Sequence, residues 1–81
     1  MNIEIKDIIT LNGNMEYVIA SKTIYQGVIY FYAANIEAGE IKFLREKDKN
    51  ILTEVSDKNL CNTLLPLFFE SAKDLYDLPL Q

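Results

Sequence analysis

The chain contains no histidine, no tryptophan and a single cysteine, Cys61. Without histidine, a Ser-His or Cys-His nucleophile has no base that titrates near neutrality. Zinc, iron and copper sites need clustered cysteine or histidine, so that chemistry has no ligand set here. One cysteine cannot form an intramolecular disulfide, and a small domain that relies on packing alone suits a reducing cytoplasm. Glycine is sparse too. Gly13, Gly27 and Gly39 each stand alone, so no glycine-rich phosphate loop exists. Long apolar runs are also missing. The longest, Val28 to Ala34, is strand-sized and cannot span a bilayer. The first residues, Met1-Asn2-Ile3-Glu4-Ile5-Lys6-Asp7, carry charge and no apolar core, unlike a signal peptide. Basic charge is short as well: eight Lys and Arg face twelve Asp and Glu, a net charge of −4. An acidic surface repels phosphate backbones, which argues against nucleic-acid binding. The run Arg45-Glu46-Lys47-Asp48-Lys49 mixes both signs and reads as a solvated turn.

What is present is a folding composition. The chain has 81 residues, 49% of them hydrophobic and 25% charged, the proportions of one globular domain spanning 1–81. Alternation marks a first strand over Ile3–Leu11, with Ile3, Ile5, Ile9 and Leu11 in one phase and a bulge or bend expected at Asp7. Asn12-Gly13-Asn14 is a hairpin signal, because both residue types tolerate positive φ. A second strand follows over Met15–Ile24, and Gln26-Gly27 turns the chain. The third, Val28–Ala34, is apolar or aromatic throughout, as central strands covered on both faces are. Glu37-Ala38-Gly39-Glu40 leads to a fourth strand, Ile41–Glu46, and Lys47–Asn50 to a short fifth, Ile51–Val55. Short loops between successive strands favour a meander.

Ser56 is the expected helix N-cap, with Asp57 in the first turn. Leu60, Leu64, Leu67, Phe68, Ser71 and Leu75 form one helical stripe, widened by Cys61, Leu65 and Ala72. Pro66 interrupts it and should either kink the helix or divide it in two. Leu78-Pro79-Leu80-Gln81 reads as a frayed tail. The expected fold is therefore α+β: a four- or five-stranded antiparallel meander over about 3–55, with a kinked C-terminal helix over about 57–76 on one face.

Candidate chemistry is thin. Cys61 would be a reactive thiol if the first turn of the helix lowered its pKa, but it reads first as a small buried hydrophobe on the stripe. The carboxylate pairs Glu37/Glu40 and Glu54/Asp57 flank turns, where they stay too wet for acid–base work. Asp48-Lys49-Asn50 lacks the ligands and glycine of a calcium loop. No cofactor is implied. The aromatic residues are more informative. With the helix laid on Tyr17, Ile19, Ile29, Phe31, Ile41 and Phe43, the other face would show Val18, Ala20, Ile24, Tyr30, Tyr32 and Leu44. Of these, Val18, Ile24, Tyr30, Tyr32 and Leu44 are the candidate partner-binding residues, since tyrosine suits an interface that is apolar yet wet at its rim. A half-exposed packing role under Lys22 and Lys42 is the competing reading of the tyrosines.

The segments Asp7–Leu11, Glu16-Tyr17-Val18, Tyr25–Ala33, Ile41–Glu46 and Leu52–Val55, with the leucine-bearing C-terminal part, resemble the YrzB-like family of small bacterial proteins over roughly residues 7 to 75. That family is a domain of unknown function. The resemblance implies a cytosolic protein of a Gram-positive bacterium, and it offers no activity or functional residues to carry over.

The functional expectation is a non-enzymatic protein-binding or structural module that contacts a protein partner or a second copy, away from membranes. An acidic inhibitor that mimics nucleic acid, of the kind a phage carries, is the alternative, but the carboxylates are dispersed in sequence. A small-molecule pocket between sheet and helix would have little volume in so small a core, and an enzyme fits least.

Overall fold

The structure, a computed structural model, describes residues 3–11, 13–48 and 51–73. Five strands form one antiparallel sheet in sequence order: β1 (Ile8–Leu11), β2 (Met15–Tyr25), β3 (Val28–Asn35), β4 (Glu40–Lys47) and β5 (Ile51–Glu54). One helix, α1 (Lys58–Ala72), follows. The α+β meander is the expected one. The β2–β3 and β3–β4 hairpins close as their turn residues require, while Asn12 of the first expected turn and Lys49-Asn50 of the last lie outside the described residues. Gln26 and Gly27 both take positive φ, 51° and 78°, which matches the twist of the strands they join. The β3–β4 loop is held by Asn35, whose Oδ1 accepts the Ala38 N–H at 2.9 Å.

The first strand is shorter than its alternation suggests. Lys6 adopts φ 82°, Asp7 N–H donates to the Glu4 carbonyl at 3.0 Å, and Asp7 Oδ2 accepts the Glu4 N–H at 2.9 Å. The expected bend is real, but it centres on Lys6. It tucks Ile3 into the core at 7% exposure, and Lys22 Nζ secures it by donating to the Ile3 carbonyl at 3.0 Å.

The helix begins one residue later than expected. Asp57, not Ser56, is the N-cap: its Oδ1 accepts the N–H groups of Asn59 (2.9 Å) and Leu60 (3.3 Å). An ionised carboxylate caps as well as a hydroxyl and adds a favourable charge at the positive end of the helix. A single helix runs through Pro66, so the chain is not divided there. The expected helical residues 74–76, with Leu75 of the stripe, and the tail 78–81 lie outside the described residues.

The principal correction concerns which face the helix covers. Partners in β3 and β4 pair Phe31 with Leu44 and Tyr32 with Phe43. This register is one residue away from the one that would put Phe31 and Phe43 on a common face, and a one-residue slip moves every side chain across the sheet. A bulge between Ile19 and Ser21 reverses phase again within β2, so Ser21 pairs with Tyr32 and Ile24 with Ile29. The helix therefore packs on Tyr30, Tyr32 and Phe43, through Leu64 and Phe68. Tyr17, Ile19 and Phe31 belong to the other face.

That other face needs no helix. The sheet curls, and Ile3, Tyr17, Ile19, Phe31, Ala33 and Leu44 form a buried cluster within the curl. Ile9 and Leu11 of β1 and Leu52 of β5 pack against the same cluster, so side chains from both sheet edges converge on it. Two small cores result, one on each side of β3.

Candidate functional site

On the helix side, Phe68, Tyr32 and Phe43 meet one another in three edge-to-face contacts, with centroids 5.4–5.7 Å apart. Such pairs add about 0.5–1.5 kcal/mol each beyond burial. Ser21 Oγ, buried beneath the helix, donates to the Phe68 carbonyl at 2.6 Å. These contacts fix where the helix lies, and hence where its cover stops. Ala72, near its C-terminal end, lines a small apolar hollow with Ala20, Ser21, Tyr32, Phe68 and Phe69.

Among the described residues, the same sheet face stays partly open beyond that end. Ile8 pairs with Val18, Val18 with Ala34, and Ala34 with Ile41. Four apolar side chains thus stand in one row across four strands. Ile8 is 66% exposed and Ile41 45%, while Val18 and Ala34 are half-buried. Ile36, in the β3–β4 loop beside the row, is 82% exposed. Ile8, Val18, Ala34 and Ile36 line a shallow hollow of about 180 Å3, together with Glu16 and Glu37. A second hollow, on the side of Asn14 and Met15, is also bordered by Glu16 and Glu37.

The expected partner-binding residues do not assemble into one surface. Tyr30 is 5% exposed and packs under the helix. Tyr32 is half-buried against Phe43 and Phe68. Leu44, at 2% exposure, belongs to the core inside the curl, and Ile24 is exposed on that opposite face. Only Val18 falls in the bare row. Ile8, Ala34, Ile36 and Ile41 were missed as site residues. Two signals pointed to them: Ile8 lies out of phase with the other apolar residues of its strand, and Ile36 occupies a loop position where polar residues are usual.

Several of the described carboxylates have structural partners. Glu40 accepts a hydrogen bond from the Tyr17 hydroxyl, Glu54 pairs with Lys42 at 3.2 Å, and Asp57 caps the helix. The bond to Glu40, burial, and the charges of Glu40 and Glu54 push the Tyr17 pKa up to about 12, so the hydroxyl keeps its proton. Burial and the nearby Asp57 raise the Cys61 pKa, which disfavours the reactive thiolate. Cys61 Sγ instead lies 3.7 Å from the Val55 carbonyl. Among the described residues, no group of three or more Cys, Asp or Glu is arranged to hold a metal ion. No described helix is long and apolar enough to cross a membrane.

The chain matches no family model, no curated protein and no solved structure in comparisons with known proteins.

Proposed function

We propose that this chain is a non-enzymatic protein-binding module whose contact surface is the bare row Ile8–Val18–Ala34–Ile41 with Ile36 at its border. The observation that carries this reading is the alignment of four apolar side chains across four strands, on the face where the helix's cover ends. Scattered surface isoleucines are ordinary, but a contiguous apolar patch with a polar border marks an interaction site. Its side chains sit on paired strands, so little conformational freedom is lost when a partner covers them. Strand addition is a weaker mode for this chain, because β1 and β5, the two sheet edges, are only four residues each. The likeness to YrzB-like proteins brings no activity and leaves this reading to the residues themselves.

The test is comparative capture from a lysate of the source cell, using the immobilised chain, its Ile36→Asp variant and its Ile24→Asp variant. Ile24 is as exposed as Ile8 but lies on the opposite face. Proteins held by the unaltered chain and by Ile24→Asp, and lost with Ile36→Asp, support the proposal. Retention that depends on Ile24 and ignores Ile36 overturns it, as does retention of nothing above blank resin.

A further inference from the structure

We infer that the partner of this row is a basic amphipathic segment, one that presents aliphatic side chains along a stripe and lysine or arginine beside it. This rests on the protein-binding reading above and names the chemistry of the partner. The charged residues that line the two hollows at the row are Glu16 and Glu37, and both are acidic. Glu16 lies on the row's own face, two residues before Val18 in β2. Among the described residues the ion pairs are Lys22–Glu4, Lys42–Glu54 and Lys73–Glu70, and neither Glu16 nor Glu37 joins one. Lys6, the described lysine nearest to Ile8 in sequence, lines neither hollow. Among the described residues, the apolar row is thus bordered by negative charge that no ion pair compensates.

This border selects against the two acidic occupants at hand. A second copy docked by two-fold symmetry would bring the same acidic border against itself. Residues 74–81 of this chain contain Asp74 and Asp77 and no lysine or arginine. A cationic partner gains at the same border what these would lose. Dimensions suit a helical stripe. Four adjacent strands set the row's ends about 14 Å apart, and a helix brings apolar residues to one side about every 5.4 Å. Two to three turns of such a helix would span the row.

The experiment uses two synthetic amphipathic peptides of equal length and identical leucine spacing, one with lysine and one with glutamate at the polar positions. Each is titrated into the full chain by fluorescence anisotropy at low and at high salt. The lysine peptide should bind about tenfold more tightly, since attraction to two carboxylates in one case becomes repulsion in the other. The gap should close in salt and in Glu16→Gln/Glu37→Gln. It should persist in Glu46→Gln/Asp48→Asn, which changes net charge equally at the far end of β4. Equal binding of both peptides, abolished by Ile36→Asp, overturns the basic partner and leaves the protein-binding surface standing. Binding of neither peptide overturns both. A gap that the Glu46/Asp48 variant closes just as well assigns it to net charge and sinks the inference. So does a dimer, by sedimentation, that Ile36→Asp disperses, because a second copy then covers the row.

Discussion

Truncating Phe68 and its neighbour Phe69 separately gives the sharpest test of where the helix lies. The two rings are adjacent in sequence and about 100° apart around the helix. Phe68 is 0% exposed and touches both Tyr32 and Phe43; Phe69 is 64% exposed. Phe68→Ala removes a buried ring and two edge-to-face contacts, and such truncations cost about 3–5 kcal/mol. A domain of 81 residues has about 4–12 kcal/mol in total. Phe68→Ala should therefore consume much or all of the stability, while Phe69→Ala should stay within about 0.5 kcal/mol of the unaltered chain. Urea unfolding followed by far-UV circular dichroism reads the difference. With a slope near 1 kcal/mol per molar, the Phe68 variant's midpoint should fall by about 3 M or more, or the protein should be unfolded without denaturant. Equal losses for the two variants, or a larger loss for Phe69→Ala, would refute the packing of this helix on Tyr30, Tyr32 and Phe43.

Two other perturbations probe the remainder of the framework. Pro66 is exposed inside α1, where proline costs about 3 kcal/mol relative to alanine. Pro66→Ala also frees the unfolded chain, which returns about 0.4–1 kcal/mol. The expected net gain is about 2 kcal/mol, a rise in Tm of about 8–16 °C by calorimetry; an unchanged or lower Tm would show that the helix has no strain at this residue to relieve. Tyr17 should make stability fall in alkali. Its pKa of about 12 lies above the ordinary value of 10.0, so between those values the folded chain holds a proton that the unfolded chain has released. The contribution is complete below pH 10 and is lost as pH rises through 12. Tyr17→Phe should accordingly lose less stability than the unaltered chain between pH 10 and 12 in urea titrations; parallel losses would contradict the raised pKa.

The strands and turns could be read from the sequence because their causes are local. Gln26-Gly27 adopts its hairpin conformation through its own backbone freedom, and Val28–Ala34 announces a central strand by being apolar in both phases. The binding surface could not be read in the same way. It depends on register, and register rests on differences of one residue: the bulge between Ile19 and Ser21 moves Ile24 to the far face, and the pairing of Phe31 with Leu44 moves Leu44 there as well. Val18, Ile24, Tyr30, Tyr32 and Leu44 look equivalent as a pattern, yet they divide among a bare row, two cores and an exposed opposite face.

By itself, then, the sequence determined a meander of four or five strands followed by a C-terminal helical segment, and the absence of histidine and of any cysteine cluster, since each follows from residue type and short-range spacing; that the strands are five and that one helix runs through Pro66 came from the structure. Only the tertiary structure decided how β3 is sheltered on both sides. One helix is too narrow to do so, but a sheet that curls encloses its own inner face and leaves the helix to cover the outer one. The row stays open because the described part of α1 packs on Tyr30, Tyr32 and Phe43, and how far a helix reaches over the sheet beneath it becomes visible only once both are packed.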